Sequence, residues 1–260
     1  MIVDLHNHTP LCNHAEGDPE AYIQTAIQKG TQVFGFSDHA PMDFDPDYRM
    51  QFQEMREYEQ AIKSLQKKYK EKILILLGYE VDYLPGHIDK RVLEADVDYL
   101  IGSVHFLKGW GFDNPEFLSK WQEQDIDKVW QNYFDTVEAM AQSRLFDIVG
   151  HLDLIKVFKF MPTKDIVSMA YNALCAIKES GMVLEINVAG YRKPVKESYP
   201  SKELLKEAYK LQIPVTLASD AHKPEQVGLY ENEVMQLLKE IGYKELSYFQ
   251  KRKEKRIKLS

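Results

Sequence analysis

Residues 215–222 read VTLASDAH, a short apolar run followed by an aspartate and a histidine. Near the other end of the chain, residues 2–8 read IVDLHNH and close on two histidines. A nearly continuous apolar run is typical of a strand buried on both faces of a parallel sheet. The two segments therefore predict that strands far apart in the sequence carry metal-binding side chains at their carboxyl ends.

Five similar runs lie between these two, and stretches with the three- and four-residue spacing of amphipathic helices separate them. This alternation predicts one α/β domain over residues 1–260, a length that suits a single barrel. Periodicity alone allows either a closed barrel or an open, doubly wound sheet. The seven predicted strands begin near Ile2, Val33, Ile73, Tyr99, Ile148, Val183 and Val215.

The charge balance is acidic, with 33 Lys and Arg against 40 Asp and Glu and a net charge of −7. Proteins that coat nucleic acid rely on clustered positive charge, so we expect no nucleic-acid partner. One basic segment stands out, because residues 251–258 read KRKEKRIK and contain six basic side chains. We interpret it as a solvated basic tail at about residues 251–260.

The two cysteines, Cys12 and Cys175, form no disulfide framework and suit a reducing cytoplasm. The longest purely aliphatic run covers residues 73–77, whereas about 20 apolar residues are needed to cross a bilayer. We therefore expect a cytoplasmic protein without a membrane partner. The sequence leaves the oligomeric state open.

Polar residues with metal-binding chemistry follow six of the seven predicted strands; only the strand ending in LEIN lacks one. A single histidine at a strand end is more often part of the core, but coincidence over six strands is a poor explanation. The two histidines of HNH are two residues apart on an extended segment and so project to the same side. Nine residues are candidate ligands: His6, His8, His14, His39, Glu80, His105, His151, Asp220 and His222. A catalytic ion takes about three protein ligands, so nine suggest three ions.

The motifs HNHT, SDH, SVH, GHLD and SDAH, together with the lone Glu80, resemble those of the polymerase and histidinol phosphatase (PHP) superfamily over about residues 1–230. The segment GYRKPVKESYPS at residues 190–201 and the chain length look most like the histidinol-phosphate phosphatases of histidine biosynthesis. The resemblance implies a distorted (β/α)7 barrel, similar to a TIM barrel, with a trinuclear site at its C-terminal face. It also implies a phosphoric monoester hydrolase that acts on a small-molecule substrate.

The resemblance further implies how the ligands are shared. His6, His8, Glu80 and Asp220 would hold the first ion, Glu80, His105 and His151 the second, and His14, His39 and His222 the third. Nitrogen and oxygen ligands suit Zn, Mn or Fe, and the spacing does not choose among them. We hypothesise that a hydroxide held between the first two ions attacks phosphorus, and that Asp220 or His222 protonates the leaving alkoxide.

Substrate contacts are expected from cations and loop residues near the same mouth. Basic residues follow the fifth and sixth strands, and arginine can grip a phosphate through two hydrogen bonds. The loops after strands two and four are rich in aromatic and acidic residues, which suit an imidazole ring and an ammonium group. The six expected substrate contacts are Arg192, Lys193, Lys156, Lys159, Asp43 and Trp110.

Three alternatives stay open. A metal-dependent amidohydrolase also begins with HxH, but often uses a modified lysine at a central strand end, where this chain has none. A PHP phosphoesterase could instead cleave a nucleotide or oligonucleotide. A non-catalytic PHP module that binds metal only for stability is disfavoured, because all nine ligand positions carry metal-binding side chains.

Overall fold

The computed structural model, which describes residues 1–259, contains a seven-stranded parallel sheet whose strands are hydrogen-bonded in chain order β1-β2-β3-β4-β7-β8-β9. Two short antiparallel hairpins, β5-β6 and β10-β11, complete the strands of the described residues. The strands are β1 Val3–Asp4, β2 Val33–His39, β3 Leu74–Asp82, β4 Tyr99–Ser103, β5 Phe106–Leu107, β6 Trp110–Gly111, β7 Ile148–Val149, β8 Val183–Asn187, β9 Val215–Ala218, β10 Glu245–Gln250 and β11 Lys253–Lys258.

The first and last strands of this sheet meet. The Leu5 N–H donates to the Leu217 carbonyl at 3.0 Å, and the His8 N–H donates to the Ala221 carbonyl at 3.0 Å. The sheet therefore curls into a nearly closed barrel, which confirms the expected distorted (β/α)7 architecture and decides against an open sheet. Each barrel strand begins within one residue of the position that the sequence predicts.

Helices connect the barrel strands and cover the outside of the sheet. α4 shows why they form: the Asp125 carboxylate caps its first turn by accepting from the Lys128 N–H, and Trp130, Tyr133 and Val137 lie buried on one face. The helices are α1 Pro19–Gln28, α2 Met55–Tyr69, α3 Lys90–Leu93, α4 Ile126–Ser143, α5 Ile166–Ser180, α6 Lys202–Lys210 and α7 Glu231–Ile241. Within residues 1–259, no helix combines the length and apolar character that crossing a membrane requires.

The interior of the barrel is packed beneath its mouth. The Tyr99 side chain, at the start of β4, donates from its hydroxyl to the Leu5 carbonyl at 2.5 Å. The Tyr99 side chain occupies space that two glycines leave free, since a Cβ at Gly35 would lie 2.1 Å from its hydroxyl oxygen and a Cβ at Gly78 would lie 2.6 Å from its ring. The lower barrel is therefore filled by side chains, and open space is left at the carboxyl ends of the strands.

The basic segment near the C-terminus is an ordered strand. Residues Lys253–Lys258 form β11, which pairs with β10 along its whole length. Leu246 and Phe249 of β10 are buried, while β11 is mostly exposed. In the turn between the strands, the Arg252 guanidinium pairs with the Asp147 carboxylate and donates to the Leu145 carbonyl at 2.9 Å. The hairpin is thus fastened to the barrel next to β7.

Candidate metal centre

The carboxyl ends of the barrel strands open into a cavity of about 730 Å³. Three kinds of position supply its polar lining: the last residues of strands, as with His39 at the end of β2; inward-facing residues within strands, as with Glu80 in β3; and the loops that follow strands. Parallel strands deliver their carboxyl ends to one rim, so these side chains meet although they are distant in sequence.

Glu80 lies at the centre of the cluster and is almost fully buried. Its Oε2 lies 3.2 Å from Nε2 of His6 and 3.0 Å from Nδ1 of His39. Its Oε1 lies 2.9 Å from Nε2 of His151 and accepts a hydrogen bond from the Ser103 hydroxyl at 2.6 Å. One carboxylate therefore contacts imidazoles that follow or end three different strands.

The candidate ligands fall into groups whose nitrogen and oxygen atoms lie within 4.8 Å of one another: His6, His8 and Glu80; Glu80, His105 and His151; and His14, His39 and His222. Asp220 joins the first group, because its Oδ1 lies 3.3 Å from Nε2 of His8. The structure thus brings all nine sequence-predicted ligand residues to the mouth, grouped as the family resemblance implies.

The sequence analysis missed a set of buried acids behind the histidines. The Nδ1 atoms of His6 and His105 lie 2.8 Å from Glu185 and 2.7 Å from Asp82. His8 makes a longer contact of the same kind, 3.3 Å from its Nδ1 to Asp38. A carboxylate at Nδ1 fixes the ring and leaves Nε2 for a metal ion. For Asp82 a signal was available, since it lies two residues after Glu80 and thus on the same face of the strand.

Glu185 shows why the one barrel strand without a metal ligand still belongs to the site. It lies in β8 and is fully buried. Besides contacting His6, its carboxylate accepts from the His151 N–H at 3.1 Å and from the Asn187 side chain at 2.8 Å. The Asn187 amide also donates to Asp220 at 3.0 Å. β8 therefore positions ligands that belong to three other strands.

The residues present fit a divalent metal centre. Four buried imidazole nitrogens make no well-directed hydrogen bond within the described residues, although a carboxylate oxygen of Glu80 or Asp220 lies 3.0–3.3 Å from the first three: Nε2 of His6, Nε2 of His8, Nδ1 of His39 and Nδ1 of His151. Leaving such atoms unpaired in a protein interior is costly, and metal coordination would satisfy them. Mixed imidazole and carboxylate ligands suit first-row divalent ions, including zinc.

The electrostatics of the two central acids point the same way. Burial would raise the pKa of Glu80, but the charges of His6, His39 and His105 outweigh it and hold the pKa well below its ordinary value. Burial opposes ionisation of Asp220 too, yet its neighbouring imidazoles hold that pKa well below its usual range. Both carboxylates therefore favour the ionised form although Glu80 is buried and Asp220 half-buried, and bound cations would stabilise that form further.

Cys12 is a further residue that the sequence analysis did not consider as a ligand. Its sulfur lies within 4.8 Å of ligand atoms of His8 and His222. It is buried, and its thiol donates to the Thr9 carbonyl at 3.2 Å. The cysteine therefore packs directly behind the metal-binding side chains.

Two of the expected phosphate contacts, Arg192 and Lys193, line the cavity. The Nη2 of Arg192 donates to the carbonyls of Ser219 and Asp220, at 2.9 and 2.8 Å. Its Nη1 is buried and has no partner among the described residues. Lys193 is exposed at the rim. The anchored guanidinium therefore keeps N–H donors free for a bound anion.

The two lysines that follow His151 lie away from the cavity lining. Lys156 is buried, and its ammonium contacts the Asp153 carboxylate at 2.8 Å, the Glu197 carboxylate at 2.9 Å and the Ser198 carbonyl at 2.8 Å. Those contacts use all three of its donors. Lys159 is an exposed residue. The sequence showed their charge but not the acids that pair with Lys156.

The two expected leaving-group contacts also lie outside the cavity lining. Asp43 is exposed and its carboxylate contacts Nδ1 of His87 at 2.7 Å. Trp110 packs edge to face against Trp121, with ring centroids 5.1 Å apart. Other members of the same two loop regions line the cavity instead: Asp45, Tyr48, Arg49, Phe106, Asp113, Glu116 and Phe117. The composition of the loops was informative, but the individual residues were not identifiable from it.

Comparisons with known proteins agree with this geometry. The model of the PHP domain family matches residues 4–189. A protein of Deinococcus radiodurans named "Probable histidinol-phosphatase" is 38% identical over 252 residues, which cover 95% of this chain and 96% of that protein. The histidinol-phosphatase of Bacillus subtilis is 30% identical over 257 residues, covering 86% of this chain and 95% of its own.

Among solved structures, the histidinol phosphate phosphatase of Lactococcus lactis superposes with a TM-score of 0.79. The match covers 97% of this chain and 98% of that one at 24% identity. That structure is a complex with zinc, L-histidinol and phosphate. At this identity, the likeness supports the fold.

Proposed function

This chain belongs to the PHP domain family, and on that premise we propose that it hydrolyses L-histidinol phosphate to L-histidinol and phosphate. The observation that carries the proposal is the complete set of nine ligand residues gathered around Glu80 at the barrel mouth. Relatives that align over nearly the whole chain bear the name histidinol-phosphatase, which supports the choice of substrate.

We propose that three divalent ions, of Zn, Mn or Fe, bind in the three ligand groups. Glu80 belongs to two of these groups, so its carboxylate would be shared between two ions. When bound, such ions supply positive charge that polarises the phosphoryl group and activates water at neutral pH. The buried acids behind the histidines hold the imidazole rings in place for this role.

Arg192 and Lys193 would recruit and orient the phosphate. Arg192 is anchored by two backbone carbonyls, so its unpaired Nη1 points a fixed donor at a phosphoryl oxygen. Lys193 lies at the rim and adds a flexible point charge that attracts the dianion. Together they place the ester bond over the ligand groups.

We assign proton transfer to Asp220, with His222 as the alternative. Glu80 and Asp220 both line the cavity, but the Asp220 side chain is 17% exposed against 1% for Glu80 and is the more accessible of the two. Asn187 fixes its orientation through Oδ2. The Oδ1 of Asp220 would take the proton that the attacking water loses and would then deliver it to the leaving alkoxide oxygen. The Nδ1 of His222 lies 3.5 Å from the same Oδ1.

The size of the cavity favours a small substrate over an oligonucleotide. A volume of about 730 Å³ lies in the range of small-molecule sites, roughly 300–1,000 Å³. We therefore propose a small phosphomonoester as substrate and no nucleic-acid partner. We further propose that the enzyme has no membrane partner and that it carries out a biosynthetic reaction in the cytoplasm.

The proposal is tested by metal quantification on the purified chain, followed by turnover of L-histidinol phosphate beside a nucleoside monophosphate. Phosphate release from histidinol phosphate, lost on chelation and restored by added zinc or manganese, is the expected result. Preference for the nucleotide would instead assign a nucleotide phosphatase. Bound metal without turnover of either ester would indicate a non-catalytic module.

A further inference from the structure

The segment after β6 places an acid on the cavity wall that the proposed chemistry does not use. Asp113 lines the cavity and is half-buried. Unlike the other half-buried or buried acids of the lining, its carboxylate has no ion pair or side-chain hydrogen bond within residues 1–259. Asp45 and Asp82 both contact Arg49, and Glu80 and Asp220 contact histidines.

The Asp113 carboxylate is partly shielded from solvent and has no cationic side chain paired with it among the described residues. Burial raises the pKa of its carboxyl, and the nearby His105 and His151 only partly offset that effect. An incoming cation would therefore gain more at this carboxylate than at an exposed one. The fixed cations that line the cavity do not serve it, since Arg49 pairs with Asp82 at 2.9 Å and Arg192 is held by backbone carbonyls.

We propose that Asp113 binds the ammonium group of the substrate and makes the enzyme selective for aminoalkyl phosphates over simple phosphomonoesters. This inference rests on the proposed phosphatase function. It adds a specificity-determining residue on the wall beside the second ligand group, to which His105 and His151 belong.

The chemistry of the substrate fits this placement. In L-histidinol phosphate the ammonium is carried by the carbon next to the esterified CH2. Two carbon atoms and the ester oxygen therefore separate the ammonium nitrogen from phosphorus. A phosphate held at the ligand groups and Arg192 therefore leaves the ammonium to a neighbouring wall. Phe106 and Phe117 line the cavity on the same loop region as Asp113. Their rings offer flat apolar surface for the imidazole of the leaving group.

The test uses the metal-loaded full chain and two substrates: L-histidinol phosphate and 3-(imidazol-4-yl)propyl phosphate, which has the same carbon skeleton and lacks only the amine. The variant is Asp113→Asn, which keeps the shape of the side chain and removes its charge. A matched control is Glu123→Gln, an exposed acid on the same surface segment and outside the cavity lining.

We expect Asp113→Asn to lower kcat/KM for histidinol phosphate by about 10- to 100-fold, the usual effect of losing a charged hydrogen bond in an enclosed site. Its kcat/KM for the amine-free ester should change by less than about threefold. L-Histidinol should also inhibit the variant more weakly than the parent, which is a binding readout independent of turnover. The melting temperature should not fall, because the substitution removes a poorly solvated charge.

Three results would overturn the inference. Wild-type enzyme that hydrolyses both esters equally well has no ammonium subsite. A variant that loses activity equally on both has lost a general function, not selectivity. A control Glu123→Gln variant with the same loss would assign the effect to overall charge. If the wild type hydrolyses neither ester while it holds metal, the proposed function itself is wrong, and the two failures are thus separable.

Discussion

At the scale of single residues, the site depends on carboxylates that each contact several imidazoles. Glu80 shows this most clearly, with His6, His39 and His151 all within 3.2 Å of its two oxygens. Such a residue has two roles that a neutral side chain cannot combine. It bridges ligand groups, and it neutralises part of the charge that bound ions would bring.

Replacing Glu80 by glutamine should therefore remove metal and activity together. The amide keeps the volume but loses the charge and one acceptor, so we expect metal content to fall and kcat/KM to drop by more than about 100-fold. Metal per chain and phosphate release from histidinol phosphate measure the two effects. Glu94→Gln, on the exposed surface, serves as the control. A fully metallated and active Glu80→Gln enzyme would contradict the bridging role.

A substitution of Arg192 tests phosphate binding separately from metal binding. Removing its guanidinium by Arg192→Ala should raise KM for the phosphomonoester by roughly 10- to 100-fold, because one charge-assisted phosphate contact is lost. Metal content should not change, since Arg192 contacts carbonyl oxygens and not a ligand side chain. Arg192→Lys should recover part of the loss. Unchanged steady-state kinetics in the alanine variant would take Arg192 out of the phosphate site.

At the scale of elements, β8 and the C-terminal hairpin have roles that their sequences do not indicate. β8 carries no metal ligand, yet its Glu185 holds the ring of His6 and the backbone of His151. The basic segment Lys253–Lys258 is the outer strand of a hairpin whose partner buries Leu246 and Phe249. The first element supports the chemistry, and the second one supports the barrel wall.

Weakening the contact between the C-terminal hairpin and the barrel should lower the stability of the protein without changing its kinetics. Arg252→Ala removes a partly exposed ion pair with Asp147 and a hydrogen bond to the Leu145 carbonyl. We expect a loss of about 1 kcal/mol. For a chain of this size that loss lowers the melting temperature by about 2–4 °C. Thermal unfolding and assays at 25 °C should show lower stability with unchanged kcat and KM. Altered kinetics would mean that the basic hairpin contributes to function.

At the scale of the whole molecule, metal binding and folding are linked. The candidate ligand residues come from nearly every strand of the barrel, so unfolding would separate them, and we expect ions to bind the folded state alone. An ion present at 100 times its dissociation constant stabilises the folded state by about 2.7 kcal/mol. Ions bound in the three ligand groups would bring positive charge to the mouth of a chain whose net charge is −7.

Chelation should therefore lower the melting temperature as well as abolish activity. At about 2–4 °C per kcal/mol, losing one such ion corresponds to a drop of roughly 5–10 °C, and more for several ions. Differential scanning calorimetry before and after dialysis against EDTA measures the change, and added zinc or manganese should restore it. Identical melting of the chelated and reloaded protein would show that the ions do not bind the native state.

The strands, and the set of candidate ligand side chains that follow them, could be predicted from the sequence because both depend on local pattern. Apolar runs such as Val215–Ala218 specify buried strands. A side chain directly after a parallel strand lies at the carboxyl edge of the sheet, wherever that strand occurs in the chain. His6, Asp220 and the other candidate ligands could therefore be recognised as a group from the sequence alone. The parallel pairing of the strands places their carboxyl ends at the same rim.

Other features were decided by tertiary contacts. Leu5 meeting Leu217 closes the barrel, Glu185 comes to lie behind His6, and Lys156 is neutralised by Asp153 and Glu197. The same contacts leave Asp113, and not Asp43, facing the cavity. Each outcome depends on which side chains from distant segments lie within hydrogen-bonding range in the folded structure. Hydrophobic periodicity records whether a residue turns toward the core, but it carries no information about its partner there.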